Sequence, residues 1–279
     1  MTNVVAASSV PLAPGAGLPV SGDTRLFPVI GDPVGQTRSP AVLTARLVAR
    51  GENAMVVPLH VRPQHLAEAI RALALMDNVG GLLVTVPHKV AALACCARAS
   101  GRARFVGSVN VMRRTADGWL GDNTDGIGYT EGLAAHGFEV AGRSALLLGC
   151  GGAGSAIALE LLERGAARLA LHDIDPASRD DLLARLNARF PGKVSRGSGD
   201  PSGFDLVANA TPMGMNALDP LPFDVERLEA AQFVACAITR PEVSPVIVEA
   251  RRRGCRTMTG AGMFDGQAEI LADFLLGRP

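Results

Sequence analysis

Between Leu26 and Met258, short apolar runs alternate with longer stretches in which apolar residues recur every three or four positions. LFPVIG (26–31) precedes PAVLTARLVAR (40–50), AMVVPLHV (54–61) precedes PQHLAEAIRALALM (63–76), and GLLVTV (81–86) precedes HKVAALACCARA (88–99). That rhythm predicts β-α-β-α-β-α, a parallel sheet covered on both faces. VNVMRRTADGWLGDN (109–123) then reads as two extended runs around a turn at Ala116-Asp117-Gly118, since glycine tolerates the positive φ of a hairpin turn. The segment 125–137 reads as a linking helix. A second series follows: SALLLG as a buried strand, GGAGSAIALELLERG as a helix, RLALHD as a strand and PASRDDLLARLNARF as a helix. FDLVANAT, QFVACAI and CRTMT predict further strands. The fold class is therefore α/β in two lobes.

LLLGCGGAG meets the G-x-G-x-x-G spacing with Gly149, Gly151 and Gly154. Between a strand and a helix, such glycines let the backbone turn tightly and approach a pyrophosphate, whose charge meets free N–H groups at the helix start. Asp173 ends the next predicted strand, where a carboxylate can accept hydrogen bonds from both hydroxyls of an adenosine ribose. It would also repel a 2′-phosphate, and no Arg or Lys lies between His172 and Ser178 to receive one; Arg179 is the first. NAD is thus favoured over NADP. Asp175 is expected to cap the helix starting at Pro176. A methyltransferase would share the glycine loop and the acid, but leaves residues 24–125 unexplained.

Composition excludes several classes. The 279 residues carry 27 basic and 27 acidic side chains, 48% hydrophobic and 4% aromatic residues, which speaks against nucleic acid and anionic membranes as partners. Five cysteines without a C-x-x-C pair argue against a disulfide framework or zinc, and no run is long and apolar enough to span a membrane. Residues 1–23, with no Lys or Arg, read as a flexible leader rather than a secretory signal. The expectation is a soluble, cytoplasmic protein, monomer or homodimer, without a metal. Asp122 and Asp125 in GDNTDG do not fit a calcium loop, because Thr124 and Gly126 take ligand positions. Asp122 reads as structural. Cys95-Cys96 read as core residues and Cys150 as a small side chain in the glycine turn.

Five segments in order carry a resemblance: GDPVGQTRSP (31–40), VTVPHK (84–89), Val109-Asn110 with GDNTDG (121–126), NATPMG (209–214) and GMFDGQ (262–267). Together they resemble the shikimate dehydrogenase family, which includes quinate/shikimate dehydrogenases, over nearly everything from Phe27 to about Leu276. The resemblance implies a substrate-binding domain of residues 24–125 with the C-terminal helix 261–279. It implies a Rossmann-like dinucleotide-binding domain of residues 126–260, with the active site in the cleft between. Lys89 and Asp125 would be the catalytic pair. Thr37, Ser39, Thr85, Asn110 and Gln267 would bind a cyclic hydroxy acid. Gly149, Gly151, Gly152, Ala153, Gly154, Asp173, Asn209, Thr211 and Met213 would bind NAD. A neighbouring carboxylate opposes the lowered pKa that a lysine base requires, so Lys89 is expected to donate a hydrogen bond and act as acid in carbonyl reduction, oriented by Asp125. His88 beside it reads as a surface or supporting residue.

The chain also departs from the family pattern. The usual H-S-x-S-P reads Gln36-Thr37-Arg38-Ser39-Pro40 here, an arginine-bearing N-R-T strand end is replaced by Asp173-Ile174-Asp175, and Thr239 stands at the tyrosine position of D-x-x-Y-x-P. The chain stops 12 residues after Gln267, which suggests a shortened C-terminal element. These changes point to a divergent member acting on shikimate or a close analogue such as quinate or an amino analogue. A non-catalytic ligand sensor is the alternative from another class, and retention of both Lys89 and Asp125 argues against it.

Overall fold

The computed structural model describes residues 20–35, 37–216 and 218–278; the predicted leader up to residue 19, and Gln36, lie outside them. The chain divides into two compact units. One comprises the residues up to Ala103, Ser108–Asp122 and those from Leu271 on; the other comprises Arg104–Gly107 and Asn123–Ile270.

The first unit holds strands β1 (Arg25–Gly31), β2 (Ala54–His60), β3 (Gly81–Val84), β4 (Arg98–Ala99), β5 (Val111–Thr115) and β6 (Gly118–Asp122), in the order β2-β1-β3-β5-β6-β4. β1 runs parallel to β2 and β3, as the alternating pattern predicts, but the sheet is mixed. β5 is antiparallel to β3 and to β6. The β5–β6 hairpin closes with Thr115 opposite Gly118, whose φ of +113° a side chain would resist. Helices α1 (Ser39–Ala49) and α2 (Leu66–Leu73) match their expected segments. The helix predicted over 88–99 shrinks to α3 (Lys89–Leu93). The Ala97 N–H bonds instead to the Trp119 carbonyl, and Arg98–Ala99 pair with β6. Sheet pairing overrides local propensity there. A short helix α4 (Gly101–Val106) follows. Ile30, Ile70, Leu82, Met112 and Trp119 centre this unit's core.

The second unit is a wholly parallel six-stranded sheet. It comprises β7 (Ser144–Leu148), β8 (Arg168–His172), β9 (Val194–Arg196), β10 (Leu206–Asn209), β11 (Phe233–Cys236) and β12 (Arg256–Met258), in the order β12-β11-β10-β7-β8-β9. SALLL is apolar throughout because both faces are covered: Ala145 and Leu147 enter one core cluster, Leu146 the other with Leu148. The helices are α5 (Asp125–Ala135), α6 (Gly152–Glu163), α7 (Pro176–Arg189), α8 (Pro245–Arg252) and α9 (Gly260–Leu276), the last shared with the first unit. Asp175 caps α7, its carboxylate accepting the Ala177 and Ser178 N–H groups.

Glycine in α5 works against helix propensity by about 1 kcal/mol each, yet DGIGYTEG has three. Close backbone packing accounts for them. A Cβ on Gly126 would lie 2.2 Å from the Ala156 carbonyl oxygen, and one on Gly132 would lie 2.6 Å from that of Gly262. The tightest approach is at the strand-to-helix turn, where a Cβ on Gly154 would sit 1.9 Å from the Gly149 oxygen. Gly154→Ala should therefore destabilise the chain by at least about 1–3 kcal/mol, the cost of overpacking a rigid contact. The urea midpoint measures it, and an unchanged midpoint would mean that the turn can yield.

Candidate active site

In the second unit, the turn after β7 sets three glycines to different tasks. Gly149 has φ +94° and lies against Ala210, Gly154 packs on the Gly149 carbonyl, and Gly151 has nothing within 4 Å of where a Cβ would stand. The open flank at Gly151 lets a ligand reach the backbone. Gly152, Ala153 and Gly154 begin α6, where a helix leaves amides without internal acceptors and carries partial positive charge. Asp173, at the end of β8, is tied to the same turn. One carboxylate oxygen accepts the Cys150 N–H at 2.6 Å and the other the Asp175 N–H at 2.8 Å. Each oxygen retains a second lone pair for a hydroxyl. Burial, and then the Asp173 charge, push the Cys150 thiol up to about 12. It is a neutral, buried side chain, as its place in the turn suggested.

A pocket of about 270 Å³ opens beside this turn, with Asp173, Thr211, Met213, Ile174, Leu221 and Pro222 in its lining. The loop after β10 is built from within. Asn209, fully buried, accepts the Thr211 N–H and hydroxyl on Oδ1 and donates to the Cys236 sulfur, and the Thr211 oxygen accepts the Met213 N–H. The Asn209 side chain is thus spent on shaping the loop. Beyond it, the Asp219 carboxylate accepts the Gly214 and Asn216 N–H groups at 3.0 and 2.9 Å. No pattern in the sequence marks Asp219 or the apolar wall at Leu221. Gly149, Gly151, Asp173, Thr211 and Met213, expected together from the sequence, do line one pocket.

In the same unit Asp125 starts α5, 3% exposed, and its N–H donates to Asn123 Oδ1 at 3.1 Å. The Thr124 hydroxyl donates to Gln267 Oε1 at 3.0 Å.

In the first unit the remaining candidates gather at one end of the sheet. Thr85 follows β3 with its N–H on the Ile30 carbonyl, Lys89 opens α3 with its carbonyl accepting the Val109 N–H, and Asn110 precedes β5 with its carbonyl accepting the Val84 N–H. Gly31 permits this closeness, since a Cβ there would strike the Thr85 methyl at 2.5 Å. Ser39 is buried at the start of α1. The half-buried Thr37 donates its hydroxyl to the Val34 carbonyl at 2.8 Å, so donation to a ligand would require that bond to open. His88 is not a surface residue. It is 1% exposed and its Nε2 lies 2.6 Å from the Val61 carbonyl, so that nitrogen carries the proton. Cys95 and Cys96 are half-buried against the core. Thr239 is exposed. Among the described residues, no helix is long and apolar enough to cross a membrane.

Residues 29–112 match the family model described as the shikimate dehydrogenase substrate binding domain. A curated relative from Geobacter metallireducens, named shikimate dehydrogenase (NADP(+)), is 34% identical over 259 residues, covering 90% of each chain. Among solved structures, the 5-ketofructose reductase of Gluconobacter sp. strain CHM43 aligns with a TM-score of 0.82 at 29% identity, over 91% of this chain and 94% of that one. The quinate dehydrogenase from Corynebacterium glutamicum in complex with NAD aligns with a TM-score of 0.82 at 28% identity, with the same coverages.

The Asp219 anchor makes a pH-dependent prediction. Hydrogen bonds, the Asn216 N–H first, hold its carboxyl below the usual carboxylate range. A lowered folded pKa means that the stabilisation is complete above the ordinary value of about 3.9 and is lost as pH falls through the folded one. Asp219→Ala should melt below wild type by a constant margin from neutral pH to about pH 5, a margin that closes below about pH 4. Thermal melts across pH check this; a margin that persists in acid would remove Asp219 as the loop's anchor.

Proposed function

The chain belongs to the shikimate dehydrogenase family, and from that premise we propose that it is an NAD-dependent oxidoreductase interconverting shikimate, or a close analogue, with the corresponding 3-dehydro compound. Residues 24–125 with helix 261–279 form its substrate-binding domain and residues 126–260 its dinucleotide-binding domain. The observation that carries the cofactor half is Asp173, a strand-end carboxylate fixed by the glycine turn and lining the adjacent pocket.

The residues present fit a dinucleotide. Gly151 leaves its backbone open and the head of α6 supplies amides for a pyrophosphate. Ile174, Leu221 and Pro222 offer apolar surface to an adenine ring. Asp173 receives the ribose hydroxyls and disfavours a 2′-phosphate by like charge. Arg179, the first cation after it, gives its Nε to Asp180 at 2.9 Å, and Asp180 is gripped by Arg196 as well. NAD preference sets this chain apart from the Geobacter relative, whose name specifies NADP(+).

The nicotinamide supplies the hydride acceptor when bound. The chain's own part is to hold the substrate and move a proton. Thr37, Ser39, Thr85, Asn110 and Gln267 bind the substrate's carboxylate and hydroxyls. Lys89 and Asp125 are the acid–base pair, with the proton leaving the hydroxyl as its carbon is oxidised and returning to the oxygen on reduction. The changes at Gln36, Thr37 and Thr239 favour a close analogue of shikimate as the alternative substrate. Quinate or an amino analogue is the runner-up on that ground, and the likeness to quinate dehydrogenase favours the former. A small-molecule acid is the partner, in the cytoplasm.

A panel of shikimate, quinate and 5-aminoshikimate with NAD or NADP, followed by absorbance of the reduced cofactor, tests the reading. Turnover with NAD above that with NADP is expected, and Lys89→Met should lower kcat by roughly 10²–10⁴-fold. Asp173→Ala should shift the kcat/KM ratio towards NADP by about tenfold or more. A chain that turns over none of the three, yet binds one of them, would be a sensor rather than an enzyme.

A further inference from the structure

Asp122 ends β6 at 3% exposure, and the proposed chemistry leaves it without a part. Arg102 grips it with both prongs: Nε donates to Oδ1 at 2.8 Å and Nη2 to Oδ2 at 2.6 Å. The Ser100 hydroxyl donates to the same Oδ1, and its oxygen accepts the Ala103 N–H, so the first turn of α4 hangs on the same carboxylate. Stability alone does not call for such a pair, because well-packed apolar residues of similar volume do as well or better. A two-pronged guanidinium–carboxylate contact adds geometric definition.

That definition is delivered through the backbone. The Asp122 carbonyl accepts the Asn110 N–H at 3.0 Å, the Asn110 carbonyl accepts the Val84 N–H at 2.8 Å, and the Val109 N–H donates to the Lys89 carbonyl at 2.9 Å. One run of hydrogen bonds therefore leads from the clamped carboxylate to Asn110, to Lys89 and to the residue before Thr85. We propose that Arg102 and Asp122 are positioning residues for the substrate site, fixing the end of β6 so that Asn110 and Lys89 keep their register. This rests on the reading of Thr85, Lys89 and Asn110 as substrate-binding and catalytic residues.

The test uses the full chain with Arg102→Met, Arg102→Lys and the paired replacement Arg102→Met/Asp122→Leu, which keeps an apolar filling where the charges were. Two readouts are taken: amide hydrogen exchange in peptides covering 82–90 and 108–112, and steady-state kinetics with shikimate and NAD. In Arg102→Met and in the paired variant, exchange in those peptides should quicken. Their kcat/KM for shikimate should fall by about 10- to 100-fold, as for a site displaced by roughly 1 Å. KM for NAD should stay within about twofold of wild type, because that site belongs to the other unit. Arg102→Lys should recover part of the loss, since it keeps the charge without the fork. Unchanged exchange overturns the proposal. So does faster exchange with shikimate kinetics intact, or a loss that falls equally on shikimate and NAD as simple destabilisation would produce. Failure of the underlying reading looks different: wild type would turn over no member of the panel while exchange still responded to Arg102, and the positioning role would fall with the site it serves.

Discussion

A parallel strand ends in backbone groups that no neighbouring strand can pair, and in each unit candidate residues lie where such ends are closed. In the second unit the closure is the glycine turn. The carboxylate of Asp173, at the end of β8, reaches across to the Cys150 N–H, so that two adjacent strand ends share one anion. In the first unit the closure is made by chain from elsewhere. β1 ends at Gly31 against Thr85, and β3, its last N–H held by the Asn110 carbonyl, runs through a turn to His88 and to Lys89 at the head of α3. Loops pinned at both ends can hold a side chain at a fixed place, which is what proton and hydride chemistry require.

The charges at these ends are used sparingly. The chain is neutral overall, and at the end of β6 the buried Asp122 carboxylate is clamped by Arg102. His88 ties the chain just after β2 to the start of α3 through the Val61 carbonyl. Cys150, Cys95 and Cys96 stay protonated through burial, with the thiol of Cys96 pushed up to about 11. Ordinary aqueous pH therefore leaves them as apolar filling rather than nucleophiles.

What was readable in the sequence was local. The glycine spacing, the cap at Asp175 and the apolar run of SALLLG each declare themselves within a few residues, because sequence distance there equals spatial distance. The mixed character of the first sheet did not, although the hairpin responsible for it was visible. Only the pairing of β5 with β3, set by tertiary contacts, reveals its direction. The helix read over 88–99 failed for a related reason, since the amide of Ala97 found a better acceptor in Trp119 than in its own turn. Asp122 could be read as structural, but its partner could not, as Arg102 lies on a helix too short to show a period. The contact made by the buried His88 likewise depends on Val61, 27 positions away and just past β2.

The proposed reaction moves hydride from a shikimate-type alcohol to NAD. Shikimate bearing deuterium on the carbon of the oxidised hydroxyl, turned over in an equimolar mixture of NAD and NADP, tests it directly by mass spectrometry of the recovered cofactors. Reduced NAD heavier by one mass unit, in excess over labelled reduced NADP, is the predicted result. Label chiefly in reduced NADP would contradict the role given to Asp173, and label in neither cofactor would contradict the reaction itself.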